Sequence, residues 1–166
     1  MVYAGIAVAV LVVVAWIGAA FVPRWWSQRV GDQVDGSIPA GITLGLVYGF
    51  LFTVLALLVL WWAFRRRRSW KTYTALVVVA LVLAAPNLFT LGIVVGTGNA
   101  AHAAERTLDV RAPGFRGATL AGAALAGLAL LGVKYLLVSR ERAREELDRV
   151  RAATTPETSA TEEKAP

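Results

Sequence analysis

From Val2 to Val22 the chain runs 21 residues without a charged side chain, and three further stretches repeat the pattern. These are residues 40–64, 72–96 and 117–138, and Lys134 is the one charged residue within any of the four. In a helix each run rises ~1.5 Å per residue and so covers the ~30 Å hydrocarbon layer of a bilayer. A soluble domain of this size instead spaces its apolar residues so that one face of each element meets water. The expected fold is therefore all-α: a polytopic membrane protein, with a four-transmembrane-helix bundle over residues 1–138.

Pro23 and Arg24 are expected to end the first span. A cleaved signal peptide ending near Gly18-Ala19-Ala20 is the competing reading, but no Lys or Arg precedes the run, and the run exceeds the usual signal core. We read it as a retained span.

Orientation follows from the positive charges, because cytoplasmic connections keep Lys and Arg. Arg65, Arg66, Arg67, Arg68 and Lys71 crowd the second connection, and seven more basic residues, from Lys134 to Lys164, mark the last span and its tail. The other connections hold two (Arg24, Arg29) and three (Arg106, Arg111, Arg116). Both termini are expected in the cytoplasm of a bacterial plasma membrane. The tetra-arginine corner would then face anionic lipid head groups, at about 1 kcal/mol per charge near such a surface.

Beyond the last span, Arg142 with Glu146, Arg144 with Asp148 and Glu145 with Arg149 stand four residues apart, the spacing of a solvated helix. Residues 139–152 are expected to form that cytoplasmic extension, and the polar, proline-containing residues 153–166 a disordered tail. Trp25, Trp26, Trp61, Trp62 and Trp70 lie at span ends, as in an aromatic belt. The formal charge of +6 flanks the spans without forming a basic domain, so no nucleic-acid partner is expected. With no cysteine, thiolate metal sites and sulfur nucleophiles are excluded.

Within the membrane the clearest pattern is small residues at four-residue spacing: Gly41, Gly45 and Gly49, then Gly92 with Gly96, and Gly122 with Ala126 beside Ala123 with Gly127. Such stripes let backbones approach closely in lipid, where burying apolar surface between helices gains little. They predict helix packing, either internal or between copies. Pro86-Asn87 interrupts the third span, predicting a kink and a hinge or small polar site together with Thr90. Lys134 lies about one turn from the cytoplasmic end, within reach of the interface, which argues against a single-copy proton- or sodium-driven carrier.

In the outer connections, His102, Glu105 and Asp109 would share a face if helical, and three such ligands could hold zinc. The spacing is generic, so a hydrated loop with a local His–Glu contact is the reading, and no cofactor or metal is expected. Asp32 and Asp35 read as turn residues before Gly36. No nucleophile elbow, phosphate-cradling loop or intramembrane carboxylate pair points to an enzyme.

Taken together, Pro23-Arg24-Trp25-Trp26, Arg68-Ser69-Trp70-Lys71 and Ala85-Pro86-Asn87-Leu88-Phe89-Thr90-Leu91-Gly92 resemble a group of small uncharacterised actinobacterial membrane proteins, some labelled permease. The resemblance covers roughly residues 1–138 and assigns no role to any residue. It agrees with the preference for arginine, only Lys71, Lys134 and Lys164 being lysine, which suggests a GC-rich genome. The leading functional expectation is a non-enzymatic accessory or helix-packing subunit, with a membrane protein partner or a second copy of itself. A permease-like, oligomeric transport component and an outward-facing sensor are the alternatives, the latter weakened by outer connections too short for a core of their own.

Overall fold

The computed structural model describes residues 2–65 and 69–162. It is helical throughout, with no strand among the described residues: α1 (Val2–Val34), α2 (Ile38–Arg65), α3 (Trp70–Val95), α4 (Asn99–Arg111) and α5 (Phe115–Glu162). Among the described residues, three helical stretches are long and apolar enough to cross a membrane, Ile38–Arg65, Trp70–Val95 and Phe115–Leu147. The chain divides into two compact units, Met1–Gly127 and Leu128–Pro166.

α2 and α3 match the runs at 40–64 and 72–96 to within two residues at each end. Ser69 caps α3, its hydroxyl accepting the Thr72 backbone N–H at 3.4 Å. This satisfies one of the N–H groups that a helix start leaves open. Gly96 closes the helix in an extended conformation.

α1 departs from expectation. It does not end at Pro23 but carries that proline inside a continuous helix to Val34. Proline removes one backbone hydrogen bond, whereas continuing the helix brings Trp26, Val30 and Val34, four residues apart on one face, into a core. The connection after Gly96, expected as a hydrated loop, is likewise helical: α4 lays Ala101, Ala104, Leu108 and then Ala112 against α1. Val30, Ile93, Ala104 and Phe115 are wholly enclosed at 0% exposure. Each large side chain so buried is worth roughly 1.5–3 kcal/mol when the alternative is water. Two segments too short for separate cores thus make one between them.

The turns around this cap are specified. Asp35 (φ 49°) and Gly36 (φ 77°) take left-handed conformations between α1 and α2, and the Gly36 N–H donates to the Arg111 carbonyl at 2.8 Å. Asp32, expected in the turn, is helical instead, and its carboxylate meets the Arg111 guanidinium at 2.9 Å. At the opposite end of the α2–α3 pair, the Arg65 guanidinium lies over the Trp61 ring, 5.1 Å from its centroid, and Phe64 packs edge-on to Tyr73. Arg66, Arg67 and Arg68 lie outside the described residues.

In the second unit the helix is unbroken from Leu128 and runs through the expected extension at 139–152. It also continues to Glu162, where composition predicts a disordered tail. A helix already formed spares the following residues the cost of nucleation.

Candidate functional site

Polar side chains inside the α1–α2–α3 packing gather around Pro86. The Asn87 amide nitrogen donates to the Gly49 carbonyl at 3.3 Å and to the Thr53 hydroxyl at 2.9 Å. One turn on, the Thr90 hydroxyl donates to the Pro86 carbonyl at 2.9 Å and accepts the Trp26 indole N–H at 3.0 Å. Trp26, expected in an aromatic belt, is therefore a buried contact reaching from α1 to α3, while Trp25 stays exposed. Phe89 sits edge-on to both indoles. Asn87 Oδ1 is buried and has no hydrogen-bond partner. An unmatched acceptor of this kind costs about 1–3 kcal/mol.

Asn87, Thr90, Leu91 and Val94 of α3 face Gly117, Thr119, Leu120 and Ala123 of α5 across a cleft of about 470 Å³. That volume falls within the roughly 300–1,000 Å³ typical of small-molecule sites. Its polar end is formed by Arg116 and Asp109. The two terminal nitrogens of Arg116 are both committed, one to Glu105 at 2.7 Å and the other to Asp109 at 2.6 Å. His102 meets Glu105 at 3.3 Å from the other side. The Glu105 carboxyl is held below the ordinary carboxylate range, first by the His102 hydrogen bond and then by the Arg116 charge and hydrogen bond, against an opposing effect of desolvation. Glu105 and Asp109 therefore converge on a guanidinium, and among the described residues no cluster of three metal-ligating side chains occurs.

The glycines of the small-residue stripes separate into three kinds. Gly41, Gly45, Gly49 and Gly122 lie where α2 meets the start of α5. A Cβ at Gly45 would stand 2.5 Å from the Phe115 carbonyl oxygen, one at Gly122 would stand 2.5 Å from that of Leu46, and Gly41 and Gly49 press closer still on Pro113 and Thr119. Gly96 is a helix end, its missing side chain making room for Ala101. Gly92 and Gly127 adjoin no atom that a Cβ would meet within 4 Å, so the structure brings them into no such packing.

No family model, curated protein or solved structure gave a match to this chain.

Trp26, Thr53, Asp109, Arg116 and Thr119 were not singled out from the sequence as one site. Trp26 had a signal: with Val30 and Val34 it makes an apolar register that runs past Pro23. Thr119 and Arg116 gave none, because a lone threonine in an Ala-rich span and an arginine at its edge are ordinary there.

Proposed function

We propose that this chain is a four-span plasma-membrane protein, N- and C-termini cytoplasmic, acting as a non-enzymatic accessory subunit that packs against another membrane helix. Residues 2–22 supply the fourth span by their charge-free length. The observation that carries the partner reading is the outward face of α3. Leu81 and Val95 are more than half exposed and Leu88 nearly so, and the three recur at seven-residue spacing beside Gly92, where a Cβ would meet nothing. Bulky apolar residues around one small one form the kind of surface on which a second helix gains van der Waals contact in lipid. The α2 stripe is already occupied by α5, whereas Gly92 on α3 has no such neighbour. Arg65 to Arg68 with Lys71 would hold the α2–α3 corner at anionic lipid on the cytoplasmic side. The resembling segments and the arginine-rich composition agree with an actinobacterial source.

The absence of cysteine makes the test clean. Gly92→Cys in native membranes should crosslink to one defined neighbour, either a second copy or another protein, whereas Val79→Cys, exposed on the far side of α3, should not. A Gly92→Cys chain that captures no neighbour and sediments as a monomer in detergent would remove this reading. A permease-like component is the second reading, supported by the cleft that reaches Asn87. Solute flux through liposomes carrying the protein, abolished by Asn87→Leu, would favour it.

A further inference from the structure

The cleft between α3 and the start of α5 combines an apolar length with one polar end, and the chemistry of that end is lopsided. Two carboxylates, Glu105 and Asp109, share a single guanidinium whose terminal nitrogens are both in use. An anionic head group with no cation of its own would set its charge beside the Asp109 carboxylate with nothing to offset it. A cation, in contrast, finds Asp109 more than half exposed at the mouth. Inside, Thr119 donates its hydroxyl to the Phe115 carbonyl and keeps its oxygen as an acceptor, and Asn87 Oδ1 is an acceptor without a partner. The lining therefore offers acceptors to a ligand that brings donors.

We propose that this cleft holds a phospholipid whose head group carries a primary ammonium, with the ammonium on Asp109 and one acyl chain lying along Leu91, Leu120 and Ala123. From Arg116 to Ala123 the helix rises about 10 Å, at ~1.5 Å per residue, enough to bury the upper part of an acyl chain. The N–H groups of Arg116 not taken by carboxylates stand beside Asp109 for the phosphate, since a guanidinium has five donors. An acid and a base side by side thus match a zwitterionic head. A quaternary ammonium brings no N–H donor to Asp109, and a glycerol head brings no cation. This inference rests on the membrane placement proposed above.

The test is native mass spectrometry of the full chain purified in detergent and offered mixed vesicles of phosphatidylethanolamine, phosphatidylglycerol and phosphatidylcholine. Phosphatidylethanolamine should be retained about tenfold over the others, the weight of one hydrogen bond to a charged group, and Asp109→Asn should abolish the preference. Gly117→Leu should empty the cleft without disturbing the fold, because Gly117 lines it and a Cβ there meets no atom within 4 Å. Leu120→Trp, at a 69% exposed position, fills the same space from a second residue. Bound lipid in bulk proportions, preference for phosphatidylglycerol, or unchanged retention in stably folded Gly117→Leu and Leu120→Trp would each overturn the proposal. So would capture of a protein in place of lipid by Leu91→Cys. A chain that still requires detergent but carries no ethanolamine lipid defeats this proposal alone, whereas release by carbonate would defeat the membrane placement itself.

Discussion

The cap formed by α4, the end of α1 and the first residues of α5 is built like a soluble protein, whereas the long apolar middles of α2 and α3 are not. In the cap the large side chains point inward: Phe115, Val30 and Leu108 are at most 1% exposed, and ion pairs ring them. Along α2 and α3 the arrangement is reversed. Ala56, Ala63, Ala80 and the α2 glycines are buried, while Leu57, Leu58, Val78, Val79 and Val82 face outward. Water rewards hiding apolar area, whereas lipid rewards close backbone approach and satisfied polar groups. The two regions therefore use opposite residue sizes at their contacts.

The sharpest way to break this contrast is Phe115→Ala. If the cap is stabilised by burial from water, the variant should lose about 3–5 kcal/mol, measured by denaturant unfolding in detergent, and a loss well under that range would show that the cap is not a water-driven core. Next comes Gly49→Val, whose Cβ would strike the Thr119 carbonyl and stand 2.9 Å from the Ala123 nitrogen. Overpacking against backbone should cost about 1–3 kcal/mol in the same assay, whereas Gly92→Ala should be neutral or stabilising by up to ~1 kcal/mol, the helix-propensity gain. If the two glycine variants behaved alike, the division between inward and outward small residues would be wrong.

A smaller effect is expected for Thr90→Val, which leaves the Trp26 N–H without its acceptor. Interhelical hydrogen bonds in membranes average about 0.6 kcal/mol, so a modest fall in melting temperature with a shift in tryptophan fluorescence should result. The smallest concerns acid. Because the native Glu105 carboxyl is held below its ordinary value, its contribution is fully present above roughly pH 4.3, the unperturbed glutamate value, and is lost as pH falls through the lowered native value. Glu105→Gln should flatten that limb of the pH–stability curve, and an unchanged curve would assign the acid sensitivity elsewhere.

The parts of the fold legible in the sequence are those where composition alone decides. Runs of 25 residues without charge admit little but a helix in lipid, so α2 and α3 could be placed closely. The cap was not legible in this way. Arg24, Arg29, Arg106 and Arg111 break its apolar pattern, and helicity there depends on α1 and α4 meeting, a pairing of residues about 75 positions apart that no local window contains. Pro23 misled for the same reason, since its local cost is outweighed by contacts from a distant segment. Of the candidate site, Pro86, Asn87 and Thr90 stood out because polar groups are rare at membrane depth. Thr53, Arg116 and Thr119 became visible only once the helices were side by side.

The joint at Arg111 has a practical corollary. Its carbonyl receives the Gly36 N–H and its guanidinium holds Asp32, so the hairpin bends on either side of the cap are fastened to a single residue. An epitope inserted at either bend should unfasten both. The exposed Thr97, between Gly96 and the start of α4, is the place to graft a tag for reporting sidedness in intact cells.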